Sequence, residues 1–293
     1  MDLVSALAAV IAPVFALSLV GYLWGRFGRA FDHHFVTELV TLVGAPCLVF
    51  STLTRARFAA ADLGRLAAAS LACLALFAAV SLCGLLLLRM RVRVYLPSLV
   101  FPNMGNMGLP VCLFAFGDAG LALGTIYFAV TSICQFTFGP AIASGRFHLG
   151  TVLKVPFIYA VIAALALAAL GVRPPEWVNN TVSLAAGLTI PLMLLGLGVA
   201  LGELDVDNLP RALAMSAARI GIGLGGGLLV AHLFGLTGAS RGVLVIESAM
   251  PVAVFNYLFA RMYDNDPREV AGMVVISTLL SYLTLPLVVA LVR

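Results

Sequence analysis

Ten stretches of this chain each run for about twenty residues with almost no charge, and that pattern limits it to folds that use a lipid bilayer as solvent. They lie at roughly 3–25, 31–53, 64–88, 96–117, 120–143, 152–171, 178–202, 210–234, 242–262 and 269–292. In lipid every backbone polar group must be satisfied within the protein, so the spans are helices or a closed barrel. The runs do not alternate polar with apolar residues, which selects helices. With 62% apolar and 10% charged residues, the 293-residue chain has too little charge to cover a soluble domain of its size. The fold class expected is an all-α membrane protein with ten transmembrane helices. The first run, from Leu3 to Trp24, is not preceded by a basic stretch and is long enough to span, so it reads as a span rather than a cleaved signal. The loops are short, and no linker or soluble domain interrupts the runs.

Composition also excludes several classes of function. Cys47, Cys73, Cys83, Cys112 and Cys134 all fall inside apolar runs without metal-ligand spacing, so they read as small packing residues and no metal or cofactor is expected. The net charge of +4 reads as the cytoplasmic bias of membrane loops, with no nucleic-acid partner. No Gly-x-Gly-Asp, Gly-x-Ser-Gly or His-Glu-x-x-His motif supports an intramembrane enzyme. A membrane sensor would need a signalling domain.

Loop charge sets the expected orientation. One side collects ten cations: Arg26, Arg29, Arg89, Arg91, Arg93, Arg146, Lys154, Arg211, Arg261 and Arg268. The other collects six: Arg55, Arg57, Arg65, Arg173, Arg241 and Arg293. The richer side should be cytoplasmic, with both termini outside the inner membrane.

The chain repeats itself at long range. Arg65 and Arg211, each opening a span, are offset by 146 (211 − 65), and Pro46 and Pro191 by 145 (191 − 46). Thr131-Ser132 with Pro140 nine residues on matches Ser277-Thr278 with Pro286, again offset by 146 (277 − 131). The fourth and ninth spans carry central prolines, Pro110 and Pro251. Five spans is an odd number, so the second repeat enters the membrane from the opposite side. The expected architecture is two inverted five-helix repeats, 1–146 and 147–293, a common construction of secondary transporters.

The fourth span reads Phe101-Pro102-Asn103-Met104-Gly105-Asn106-Met107-Gly108-Leu109-Pro110. Pro110 cannot donate a backbone hydrogen bond, and Gly105 and Gly108 tolerate unwound backbone. A break near Gly105–Pro110 is expected, matched in the ninth span near Ala249–Val252, with the two broken helices crossing at mid-membrane. Irregular backbone at that depth survives only inside protein or around a water-filled cavity. Each second half begins there with free N–H groups and a positive dipole end, suited to a carboxylate. Each first half ends there with carbonyls that can coordinate a cation. Asn106, Gly105, Pro110, Pro251, Asn256 and Thr131 are the resulting candidates for substrate binding. Glu247 and Asn106 each lie four residues before the breaking proline. An intramembrane carboxylate is a functional candidate by default, so Glu247 is expected to couple transport to H+ or Na+, unless it is a structural ion-pair partner of Arg219. Arg219 lies roughly 12 Å into its span, where it either holds an anion or neutralises Glu247.

The run Pro102-Asn103-Met104-Gly105-Asn106-Met107-Gly108-Leu109-Pro110, the segment 57–62, and the run 250–267 followed by 277–287 resemble the auxin efflux carrier family of bacterial and plant transporters. That family is related to plant PIN carriers and, more distantly, to bile-acid sodium symporters. The resemblance covers the whole chain. It implies a fold similar to sodium/proton antiporters and bile-acid symporters, with broken crossover helices 4 and 9. Helices 1, 2, 6 and 7 would form a scaffold, and 3–5 and 8–10 a moving transport domain. It also maps the family's crossover asparagine onto Asn103 and its carboxylate before the third helix onto Asp62, which reads equally as a helix N-cap. The long cytoplasmic loop of the plant carriers is missing here: the connection between spans five and six is about eight residues. Bacterial relatives are associated with small carboxylates such as malate or malonate.

The expected function is secondary active transport of a small organic anion by alternating access, of elevator type, with the lipid bilayer and a second copy bound through the scaffold helices as partners. A sodium-coupled organic-anion symporter of bile-acid type is the alternative. Substrate, direction and coupling ion stay open at this stage.

Overall fold

The computed structural model describes residues 3–55, 60–145, 156–170, 172–204 and 206–292. Among the described residues twelve α-helices follow one another: α1 (Leu3–Arg26), α2 (His33–Leu39), α3 (Ala45–Arg55), α4 (Ala60–Leu87), α5 (Val92–Val100), α6 (Leu109–Ser144), α7 (Pro156–Leu170), α8 (Glu176–Glu203), α9 (Leu209–Leu233), α10 (Gly238–Ser248), α11 (Val254–Met262) and α12 (Pro267–Val292). Among the described residues the extended pairing is one isolated antiparallel bridge, between Pro102 and Val252. The arginine-to-alanine part of the 57–62 segment, the cations Arg57, Arg146, Lys154 and Arg293, and the connection between the fifth and sixth expected spans lie outside the described residues.

Among the described residues seven helical stretches are long and apolar enough to cross a membrane: Ala8–Arg26, His34–Arg55, Asp62–Leu87, Met104–Ser144, Glu176–Glu203, Leu209–Leu233 and Pro267–Val292. The pieces α5, α10 and α11, of 9, 11 and 9 residues, are each too short alone. The 36 residues of α6 are not one rod. Gly117 sits at φ 65°, ψ −154°, a conformation open to glycine, and the chain turns back on itself there. A methyl group on Gly124 would lie 3.2 Å from Leu109 Cδ2, whereas an unbroken helix would separate residues 109 and 124 by about 22 Å. The expected boundary between the fourth and fifth spans therefore falls in a helical hairpin.

Helix ends follow their sequence signals. Asp32 accepts from Phe35 N at 2.9 Å and opens α2. Asn208 accepts from Arg211 N at 3.2 Å and opens α9, with Pro210 in the first turn. A π-helical segment, Val40–Gly44, precedes Pro46. The wider turn accommodates a ring that would clash with the carbonyl four residues back.

The expected break at Gly105–Pro110 falls earlier. Helix α5 stops at Val100, the backbone is extended at Phe101, and a π-helical segment, Met104–Gly108, leads into α6. Pro110 lies in the first turn of α6 directly after the π-helical segment, whose wider turn accommodates its ring. The second interruption runs from Ala249 to Ala253.

Helix α8 packs along α1 and α3, and α3 along α7. Small residues set that spacing: a methyl on Gly21 would meet Leu195 O at 2.1 Å, and one on Gly198 would meet Ser18 O at 1.9 Å. Separately, α9 packs on α12, α10 and α4, and α6 packs on α10 and α4.

Candidate functional site

The two interruptions are held against each other by main-chain hydrogen bonds. Asn103 N donates to Pro251 O at 2.7 Å, and Ala253 N donates to Phe101 O at 3.3 Å. These bonds flank Pro102, whose ring nitrogen has nothing to donate and needs nothing there. Val252 N is satisfied from α12 by Ser277 Oγ at 3.0 Å. Asn256 donates through Nδ2 to Phe101 O at 3.1 Å and accepts through Oδ1 from Gln135 Nε2 at 3.2 Å. The N–H groups of Asn103, Val252 and Ala253 are thus each satisfied from across the junction or from α12, as buried backbone requires.

A cavity of about 430 Å³ opens beside this junction. Its inner wall is made by Pro102–Asn106, by Phe128, Ser132, Gln135 and Phe136 of α6, and by Ala253, Val254 and Phe255 at the start of α11. Its outer wall comes from Val36 to Ala45 and from Leu192 to Leu204 at the end of α8. Arg261 and Glu203 also line it. The lining is mostly apolar with a few polar groups, and the volume suits a small organic molecule. Asn103 is 4% exposed, and its Nδ2 has no hydrogen-bond partner. Ser132 Oγ is likewise buried without a partner.

The structure brings Asn103, Gly105 and Asn106 into the cavity wall. Pro110, Pro251, Asn256 and Thr131 stay outside it and are buried behind the lining. Asn256 and Pro251 brace the junction instead, through the bonds given above. Thr131 is the near miss. Its neighbour Ser132 faces the cavity, and one residue on a helix is a rotation of about 100°. Gln135, three residues on from Ser132 and so on the same face, also lines the cavity, and its signal in the sequence is an amide in an apolar run.

The buried charges do not pair. Arg219 and Glu247 are both fully buried. Arg219 Nη1 donates to Leu99 O at 2.9 Å and Nη2 to Ser248 O at 2.6 Å. Glu247 Oε1 accepts from Cys112 Sγ at 3.6 Å, and Oε2 has no partner. The carboxylate is seated in the α6 hairpin, where added methyl groups on Gly108 and Gly124 would come within 2.0 and 3.2 Å of its oxygens. Asp62 stands exposed in the first turn of α4, outside the cavity. A carboxylate there favours the helix dipole.

A second cavity, of about 720 Å³, is lined by Leu48, Ser51, Arg55, Asp118, Ser183 and Ile190 among others. Helix α8 joins the two: Ser183–Leu194 border the second, Leu192–Leu204 the first. Between them Leu48, Leu109, Phe128 and Ile190 form an apolar cluster.

Apolar helices of membrane length, two interrupted helices and a small-molecule cavity at their meeting define a multi-pass membrane transporter. The family described as membrane transport protein matches residues 7–148 and 141–289, so the chain belongs to that family, the auxin efflux carrier family its motifs resemble. An uncharacterized transporter of Methanocaldococcus jannaschii is similar, with 24% identity over 305 aligned positions covering 95% of this chain and 96% of the relative. A second uncharacterized transporter, from Methanothermobacter thermautotrophicus, is 24% identical over 63% of each chain. The family and these relatives are described as membrane transporters, not enzymes.

Proposed function

We propose that this chain is a secondary active transporter of a small organic anion, with the Asn103 cavity as its substrate site. The observation that carries the reading is the unpartnered Asn103 amide in a cavity where two interrupted helices meet. A carboxylate accepts from the Asn103 amide and the Ser132 hydroxyl. It also faces the start of α11, whose first N–H groups have no intrahelical acceptor. Apolar walls from Phe128, Phe136 and Met193 take the organic part.

In this reading the chain has ten spans in two inverted repeats, 1–146 and 147–293. The fourth and ninth spans are the interrupted pairs, α5 with the start of α6 and α10 with α11. The group around α4–α6 and α9–α12 moves as an elevator against α1–α3, α7 and α8, which also carry a homodimer contact. The first cavity opens at the end holding the Arg91–Asp266 and Arg211–Glu269 ion pairs and Arg268. Loop charge makes that end cytoplasmic, in the inner membrane. The apolar cluster of Leu48, Leu109, Phe128 and Ile190 separates it from the opposite cavity, as alternating access requires. Glu247 carries the coupling proton.

The test is uptake by purified protein in liposomes loaded with, and then offered, malonate, malate and an indole carboxylate in turn. Saturable uptake of at least one, lost in empty liposomes, is the expected result. No uptake of any carboxylate by folded protein overturns the reading.

A further inference from the structure

Arg219 is buried without an acid, and what it holds instead is specific. Leu99 is the penultimate residue of α5, and Ser248 is the last residue of α10. The guanidinium therefore joins the carbonyl ends of the two helices that stop at the interruption, at 2.9 and 2.6 Å. Carbonyls in a helix's last turn lack intrahelical donors, and each end carries about half a negative charge. Two such ends converging in a membrane protein make a site for a cation. Phe77 offers its ring to the same group, with Cζ 5.2 Å from the centroid. Helix α9 comes close enough to reach both ends because position 223 is glycine: a methyl there would stand 2.0 Å from Ser248 O.

We infer that Arg219 is a resident counter-cation, neutralising the carbonyl ends of both interrupted helices so that no sodium ion is needed between them. A planar guanidinium with several donors serves two carbonyls at once, which an ammonium does less well. The charge is fixed in the protein and is present whichever way the carrier faces. As a positioning residue, Arg219 sets the geometry of the junction that Asn103 belongs to, without touching the cavity. The flux corollary rests on the transporter reading above: uptake proceeds equally in sodium and in choline.

Thermal unfolding of the purified chain in detergent, in sodium chloride against choline chloride at equal ionic strength, tests the inference without any substrate. The native chain and Arg219→Lys each unfold at one temperature in both salts. Arg219→Gln and Arg219→Ser unfold about 5–10 °C lower in choline. In Arg219→Ser, sodium restores most of that loss, because truncation leaves the carbonyls and room for an ion. A packing role alone would lower all three variants alike and give no cation response, and that pattern overturns the inference. A sodium-specific rise in the native chain overturns it too. If Arg219→Ser folds in neither salt, the other pair decides: Arg219→Lys above Arg219→Gln supports the inference, and any other order sinks it. Failed uptake in liposomes would defeat the transporter reading while leaving the unfolding result standing.

Discussion

Asn103 N donates to Pro251 O at 2.7 Å, which ties together two residues 148 positions apart (251 − 103) at the centre of two interrupted helices. The bond spends the backbone of Asn103 on structure and leaves its side chain for the cavity. Asn103 O is also engaged, accepting from Gly108 N at 3.1 Å. One residue thus closes the junction with its main chain and faces the proposed substrate with its amide. Replacing the side chain should therefore separate binding from folding.

Asn103→Ala is expected to fold normally and to bind substrate more weakly. Losing one hydrogen bond to a charged group costs about 1.5–3 kcal/mol, roughly ten- to a hundredfold in affinity. Binding to purified protein, alongside an unfolding curve, checks both halves. Native affinity in the variant would remove Asn103 from the site.

Two glycines in one helix should respond in opposite ways to alanine. At Gly223 the new methyl would sit 2.0 Å from Ser248 O and 2.9 Å from its carbon, both main-chain atoms that cannot swing aside. At Gly221 it would meet nothing within 4 Å. Gly223→Ala should lower the unfolding temperature by more than about 5 °C. Gly221→Ala should leave it unchanged or raise it, since alanine is favoured over glycine in a helix interior by about 0.5–1 kcal/mol. Equal tolerance at both positions would contradict the close approach of α9 to α10.

Glu247→Gln keeps the shape of the side chain and removes its ability to exchange a proton. Initial uptake rates in liposomes between about pH 5.5 and 8 should vary for the native chain and run flat for the variant, because a carboxyl without a counter-charge is the coupling candidate. Asp62→Asn, altering an exposed helix-start carboxylate, should follow the native profile more closely. A native pH profile in Glu247→Gln would make Glu247 structural.

The membrane helices, the two interruptions and the family were legible in the linear sequence, for a local reason. Hydropathy over twenty residues decides whether a segment enters lipid, and a dense run of proline and glycine breaks a helix, whereas single prolines such as Pro13 and Pro191 stay inside theirs. The run from Pro102 to Pro110 announces irregular backbone by itself. Even so, the break moved to Phe101–Asn103, because main-chain bonds to Pro251 and from Ala253 fix the extended residues there.

Only the tertiary structure decided which partner each polar group took. In sequence Arg219 reads either as an anion holder or as the counter-charge of Glu247, yet the guanidinium reaches Leu99 and Ser248 while the carboxylate sits against Cys112. Ser132, not Thr131, lines the cavity, and Asp62 stands in the open. The sequence determined that apolar helices form and that two of them fail near prolines, because both properties are local. A buried charge seeks whatever complementary group lies within about 3 Å, and when that group is a helix end 120 residues away, folding alone brings the two together.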